Sequence, residues 1–265
     1  MAPNPRPVIA LLGAALIGAA PLFAAEPARR DFTTDRPDTT ESPFTVEPGH
    51  FQVETTLFGY ALGKREDGAR PRSYEFATTN VRFGVTSALE IDVGIAPYGI
   101  FDPGTGPRRQ GVGAIELRPK LNLWGDDGGP TALALLPFVS IPLDPGSGVG
   151  PDDVEYGVLV PLALDFGGGL GLGLNGGVVA RRPDADRGYR AFGIATASLS
   201  VDWSDTVGSY FEAAAEIGDG QASTSLNTGI TWQARDDLQF DTGVQVGVSG
   251  DADRFAPFVG VSLRF

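Results

Sequence analysis

Phe255-Ala256-Pro257-Phe258-Val259-Gly260-Val261-Ser262-Leu263-Arg264-Phe265 closes the chain, with apolar residues at 255, 257, 259, 261, 263 and 265. A two-residue period is the signature of a β-strand, so one face of this strand is apolar up to a terminal Phe. Chain ends fray unless something ties them down. A strand of this kind predicts a partner that holds it, as the last strand of a closed barrel is held by the first. Val261, Leu263 and Phe265 then form the ending that a barrel-assembly machinery would read.

The same beat recurs toward the amino-terminus. Phe51, Val53, Thr55 and Leu57 alternate with Gln52, Glu54 and Thr56; Ala77, Thr79, Val81, Phe83 and Val85 alternate with Thr78, Asn80 and Arg82. After a tight Thr86-Ser87-Ala88 turn, Leu89, Ile91, Val93 and Ile95 oppose Glu90 and Asp92, and later Ile115, Leu117, Leu121 and Leu123 oppose Glu116, Arg118, Lys120 and Asn122. Further strands are predicted over roughly 131–143, 154–165, 170–181, 189–203, 207–217, 222–233, 238–248 and 254–265. That makes about twelve, each near the length that crosses a bilayer at a tilt.

Connections alternate in length, with 64–72, 97–110 and 144–153 long and 86–88, 125–130 and 166–169 short. Barrels with short periplasmic turns and longer outer loops show this alternation, which puts both chain ends on the periplasmic side. Trp124, Trp203 and Trp232 fall at the finishing ends of even-numbered strands, where an interfacial aromatic girdle belongs. Trp124 has the parity of the polar face, which predicts a bulge or a one-residue offset in the fourth strand. Prolines at 119, 137, 142, 161 and 257 cannot donate to a ladder and make strands four to six the least regular part.

Of 265 residues, 37 are Gly, the aromatics make up 9%, and the formal net charge is -13. After the amino-terminus no apolar run approaches the roughly 20 residues of a spanning helix, so a membrane location means strands. Arg6, the apolar run Val8 to Ala20 and the small residues Ala24-Ala25 read as a secretory signal peptide over 1–25. The acidic balance and the lack of a basic stripe exclude nucleic acid as a partner. With no cysteine in the chain, pairing and burial alone hold the fold.

The domain reading is therefore a signal peptide (1–25), an extended Pro-rich arm (26–50) and an all-β, antiparallel transmembrane barrel (51–265). The apolar strand faces carry mostly Val, Ala, Leu and Thr, too little bulk to fill a twelve-strand lumen, so they face lipid. An Arg or Lys in the lipid at mid-membrane costs about 2–4 kcal/mol. Glu54, Asn80, Arg82, Glu90, Asp92, Glu116, Arg118 and Lys120 are accordingly expected to line the lumen, either setting its field and width or closing it as a salt-bridge lattice.

The stretch from Thr34 to Glu54, TDRPDTTESPFTVEPGHFQVE, together with Val81-Arg82-Phe83-Gly84-Val85-Thr86-Ser87-Ala88-Leu89-Glu90 and Phe138-Val139-Ser140-Ile141-Pro142, resembles the outer-membrane "transporter" family named for the MetA pathway of phenol degradation. The resemblance implies a signal-bearing barrel that passes or binds small organic, including aromatic, compounds. For Asp35, Arg36, Pro37 and Asp38 two readings stand open. They fold into the lumen as a plug that pairs with wall charges, or the prolines merely stiffen an arm that positions the first strand.

Catalysis finds little support. The single histidine, His50, sits at the start of the first strand with no paired Ser and acid. Asp126-Asp127 and Asp152-Asp153 lack a complete calcium-ligand spacing and read as turn acids. Gly167-Gly168-Gly169-Leu170-Gly171 has no following helix or Lys-Ser and reads as a turn rather than a phosphate loop. The expectation is a non-enzymatic, passive channel for small organic solutes in the outer membrane of a Gram-negative cell, without cofactor or metal. Lipid, the assembly machinery and the solute are its partners. The alternatives are a structural or surface-interaction barrel with a closed lumen, and a soluble periplasmic β-protein.

Overall fold

A computed structural model describes residues 30–65, 68–183 and 188–265; the expected signal peptide and the first residues of the arm lie outside them. The strands are β1 (Phe51–Leu62), β2 (Arg72–Gly84), β3 (Leu89–Ile95), β4 (Tyr98–Asp102), β5 (Arg109–Gly111), β6 (Ala114–Trp124) and β7 (Thr131–Pro142). They continue with β8 (Glu155–Asp165), β9 (Leu170–Arg181), β10 (Arg190–Asp202), β11 (Val207–Gly218), β12 (Gln221–Arg235), β13 (Leu238–Ser249) and β14 (Ala256–Arg264). All pairings between them are antiparallel, and from β6 onward each strand joins its neighbour in sequence order, while β2 pairs with both β3 and β4 and β3 pairs with β6.

The expected loop over 97–110 is corrected by the structure, which places β4 and β5 within it. β2 pairs with β3 through Thr79↔Ile95 and with β4 through Phe76↔Tyr98 in one continuous register. β3–β6 and β4–β5 likewise share one register. β3 with β4, and β5 with β6, are thus two long staves interrupted near Pro97, whose ring cannot donate to the ladder. Counted as staves, the sheet has twelve members, and β1 pairs with both β2 and β14 to close it into a barrel.

The closing seam runs to the last residue. Phe265 N–H donates to Phe51 O at 2.8 Å, and Phe51 N–H to Phe265 O at 3.4 Å. The terminal Phe is tied to the first residue of the first strand, so neither edge is left open.

Alternation follows the sequence pattern, polar inward and apolar outward. Ile91, Val93, Leu117, Leu123, Phe211, Ile230 and Phe240 are exposed on the outer face, whereas Glu54, Arg82, Asp92, Lys120 and Asp241 are buried. Departures occur at bulges. The β6–β7 register shifts between Asn122 and Trp124, which turns Trp124 outward against the strict parity of its strand. β1 shifts against β14 around Leu57, and on β2 the facing Ala77 takes a positive φ of 56°. Past these points Phe58, Phe76 and Tyr98 form an outward aromatic row, with ring centroids 5.4 and 5.7 Å apart.

Both ends of the barrel wall and the short turns 85–88, 125–130, 166–169, 203–206 and 236–237 share one rim, here the turn rim. The longer connections, the described residues 63–65 and 68–71 together with 103–108 and 143–154, lie at the opposite, loop rim.

If the outer face is solvated by lipid, Leu226→Arg on the middle of β12 lowers stability in lipid vesicles by about 2–4 kcal/mol. Urea titration of the refolded barrel measures this; an unchanged midpoint would show that water, not lipid, covers the face.

Candidate functional site

Residues 30–49 have no strand period, and Pro37, Pro43 and Pro48 remove ladder donors from them. Their backbone therefore needs partners from elsewhere. The barrel wall supplies them, because the segment folds as a loop inside the lumen. At its base, near the turn rim, Arg30 bonds to Thr45 and Glu47 of the returning limb and to Asp126 of the β6–β7 turn at 3.0 Å. Higher up, Asp35 Oδ1 accepts from Ser42 N–H at 3.1 Å, which leaves residues 36–41 as the tip. The chain returns to the wall where Gly49 N–H donates to Gly84 O at 2.8 Å.

Two glycines make room for it. A Cβ on Gly84 would strike the carbonyls of Val46 and Glu47, and one on Gly260 would strike the Arg36 guanidinium. Side chains of the wall in turn satisfy the plug backbone: Arg82 donates to Phe44 O at 2.8 Å and Asn122 to Pro43 O at 2.9 Å. Val46 N–H donates to Glu90 at 2.7 Å.

On the β1–β6 side the contacts are ionic. Arg82 meets Glu54 at 2.9 Å, Glu90 at 3.0 Å and Asp35 at 3.4 Å. Lys120 meets Asp35 at 2.8 Å and Glu90 at 2.9 Å. Arg118 binds Glu41 at 2.5 Å, with Glu116 at 3.4 Å and Asp92 at 3.7 Å. Asp35, Glu90 and Asp92 also lie close enough to one another to hold a metal ion. The Lys120 ammonium already supplies a cation to two of them.

On the opposite side the contacts are mostly neutral or singly charged. Arg36 makes a two-pronged pair with Asp241, at 2.7 and 3.2 Å, and donates to Thr56. Thr40 bonds to Thr196 at 2.7 Å and to Glu212 at 2.6 Å, and Asn227 also donates to Glu212 at 2.6 Å. Near the base, Glu47 pairs with Arg264 at 3.1 Å.

Burial pushes the Asp35 carboxyl up, but the neighbouring Arg82 and Lys120 outweigh it and hold the group below the usual range. At the tip the balance reverses. Burial carries Asp38 up to about 7 with Glu212 nearby, and burial raises Glu41 despite the opposing Arg118.

Space remains on both sides of the plug. A cavity of about 740 Å³ opens toward the turn rim between the plug and the small residues Ala163, Gly173, Ser198 and Ser200. Toward the loop rim lies one of about 350 Å³, floored by Asp35, Arg36 and Glu41 and roofed by Gly150 and Pro151. Glu41 touches both, so its pair with Arg118 stands between them.

Of the residues expected to line the lumen, Glu54, Arg82, Glu90, Asp92, Glu116, Arg118 and Lys120 gather in one lattice. Asn80 stands apart and lines the loop-side cavity. In the amino-terminal motif Asp35 and Arg36 pair with the wall, Asp38 lines the turn-side cavity, and Pro37 follows a cis peptide bond. Val261 and Leu263 pair with both β1 and β13. His50 lies at the turn rim beside Pro48 O, 3.4 Å away.

Sequence reasoning missed Glu212, Asp241, Arg264, Glu47 and Asp126. Asp241 had the inward parity, and that parity was the available signal for it. Asp126, read as a turn acid, also accepts from Thr45 N–H at 2.9 Å and so holds the plug base.

Comparison with known proteins agrees with this architecture. A porin structure, NanC, superposes with a TM-score of 0.53 at 10% identity, covering 80% of this chain and 98% of the porin. The CymD monoaromatic hydrocarbon channel gives 0.47 at 8% identity, covering 83% and 89%. The translocator domain of the autotransporter NalP from Neisseria meningitidis gives 0.46 at 13%, covering 83% and 90%. At these identities the likeness is one of fold, and it rests on the first. No curated protein sequence matches the chain. A family model described as "Putative MetA-pathway of phenol degradation" matches residues 34–265, spanning plug and barrel together, and the chain belongs to that family.

Proposed function

We propose that this protein is an outer-membrane channel that admits small organic solutes passively, with residues 30–49 as the plug that sets how far it opens. The observation that carries the reading is the charge balance left if the plug withdraws. Arg82 and Lys120 keep Glu54 and Glu90 on the wall, and Arg118 keeps Asp92 and Glu116. Asp35 and Glu41 are surplus carboxylates, so withdrawal of the tip from this lattice strands no buried cation, the event that makes breaking buried pairs costly; the base limb differs, because Glu47 is the ion partner of the buried Arg264. Apolar anchoring is slight, since Pro43 and Val46 are the plug's buried aliphatic side chains among the described residues. The wall hydrogen bonds, for their part, close the barrel without the plug.

In this reading the turn rim faces the periplasm, lipid covers the outer face, and a cleaved signal peptide brings the chain across the inner membrane. Val261, Leu263 and Phe265 present the assembly signal. The family description and the porin-like fold support a channel for small organic compounds. A rival reading, a barrel that is permanently closed and purely structural, draws on the same lattice, because its Arg82, Lys120, Glu54, Glu90 and Asp92 are buried.

Planar-bilayer recording separates the two. Deleting residues 31–48 is expected to give larger and steadier conductance steps than the intact protein; unchanged conductance would dispose of the plug, and silence from both forms would favour the closed barrel. Among the described residues six carboxylates but only three cations are buried on the barrel wall, since Asp35 and Glu47 leave with the plug. The unplugged pore is therefore expected to prefer K⁺ to Cl⁻, read as the sign of the reversal potential in a KCl gradient.

A third outcome concerns the lattice itself. Arg82→Met leaves Asp35, Glu54 and Glu90 short of a cation and is expected to cost about 3–5 kcal/mol. Faster proteolysis within residues 30–49 would report it, and wild-type protection would show that the lattice does not hold the plug.

A further inference from the structure

The tip of the plug, residues 36–41, rests on an inner-wall row that crosses four strands. Ser198 stands opposite Glu212, Glu212 opposite Asn227, and Asn227 opposite Gln245. The row holds one formal charge and no cation. Glu212 is nevertheless satisfied, because Thr39 N–H donates to it at 3.1 Å, the Thr40 hydroxyl at 2.6 Å and Asn227 Nδ2 at 2.6 Å. Donors of this kind favour the ionised carboxylate.

Asp38 docks on the same row without that support. It faces Ser198, whose hydroxyl bonds to nothing else. The cations nearest the tip are committed elsewhere, Arg36 to Asp241 and Arg118 to Glu41, and Asp38 forms no ion pair among the described residues. The titratable groups around it are Arg36 and Glu41 of the plug, Tyr210 and Glu212 of β11 and Asp241 of β13. From β10 and β12 come Thr196, Ser198 and Asn227, which do not titrate. Toward the turn rim Asp202 and Asp205 line the same cavity as Asp38 and add further negative charge. A carboxyl placed beside a second carboxylate, with no cation to answer it, holds its proton.

We infer that Asp38 is a proton-operated latch, docking on the wall as the neutral acid and loosening the plug tip when it ionises. Burial does most to favour the neutral form; Ser198 opposes it, Glu212 and Glu41 add to it, and the balance holds the group at about 7. In a tip released to water the carboxyl returns to its ordinary range, near about 4. The docked plug therefore binds this proton more tightly than the released plug. Docking weakens as the pH rises from about 4 to about 7 and is level on either side, by at most about tenfold per pH unit for one proton. Glu41 shifts the same way, with Arg118 to answer its charge, and so adds to the trend. Asp35, held at about 2, is ionised throughout the upper part of that window. The inference rests on residues 30–49 being a releasable plug and names what sets its hold.

The test is a nitroxide label on Thr39→Cys in the folded mature protein in lipid vesicles, a clean site because the chain has no cysteine of its own. The Thr39 side chain makes only long bonds, of 3.3 and 3.4 Å. The ratio of mobile to immobilised spectral components reads release against docking. Between pH 5 and pH 7 that ratio is expected to rise at least tenfold. Asp38→Asn in the labelled chain carries the neutral form at every pH, so its rise should be at least tenfold smaller and its plug at pH 7 as firmly docked as the parent at pH 5. Glu212→Gln removes the neighbouring charge and should end the rise at a lower pH, an effect that a merely structural contact would not produce. Heat-modifiable gel migration checks that each variant is folded. An immobile label at every pH, the same pH dependence with Asp38→Asn, or firmer docking at higher pH would overturn the inference. Because the label reads docking without flux, silence in bilayers counts against the channel and not the latch. A pH-independent label beside a deletion of residues 31–48 that enlarges conductance counts against the latch and not the channel.

Discussion

Closure of the hydrogen-bond ladder between β1 and β14 is the constraint from which the other features follow. Hydrocarbon offers no partner to an unpaired N–H or C=O, so a sheet can sit in lipid only if its two edges meet. Here they meet from Gln52↔Arg264 to Gly59↔Phe258, and the terminal Phe265 is used in the seam. Once the edges meet, alternation decides the rest. Each strand sends one face to lipid and the other into a space too wide for Val, Leu and Ala side chains to fill.

That space is filled by something other than a hydrophobic core. The interior carries Arg82, Lys120, Glu90 and Asp92 at essentially zero exposure, which an ordinary protein interior would tolerate only with close pairing. Pairing across the wall alone balances Arg82, Arg118 and Lys120, whereas Arg264 is answered by Glu47 of the plug. The plug then adds Asp35 and Glu41 as extra acceptors and two cations, Arg30 on Asp126 at the base and Arg36 on Asp241 on the far side. The segment is thereby held at several points around the wall, each of which can be exchanged for water individually. An apolar plug of the same length would hold by burial and would have to be withdrawn all at once.

The strands were legible in the sequence because their signal is local. A period of two requires only neighbouring residues, and it located the staves within a residue or two from Thr131 onward. It also placed Glu54, Arg82, Glu90, Asp92, Arg118 and Lys120 on the inner face. It did not find β4 and β5, since Pro97 and the glycines around it interrupt the beat while the register carries on across the gap. The offset at Trp124 was visible as a parity conflict, and the bulge after Asn122 resolves it. The partners within the lumen were beyond reach for a different reason. Asp35 and Lys120 lie 85 positions apart, and Arg36 and Asp241 lie 205 apart; only the curvature of the closed sheet brings them together. The plug has no period at all, so nothing in its own residues distinguished a segment inside the barrel from one hanging beneath it.

The same geometry explains why Glu41 and Asn80 are the informative residues of the lumen, although neither lies in its most heavily paired part. The Asp35–Lys120–Arg82 cluster is satisfied on all sides and has little to offer a passing molecule. Glu41 instead sits on the partition between the turn-side and loop-side cavities, held by one strong contact to Arg118, and its carboxyl is raised by burial. Asn80 lies just above the partition with its amide unspent. The barrel thus separates its functions by position. Fully paired charges hold the plug against one side of the wall, and the incompletely satisfied groups lie along the path that remains.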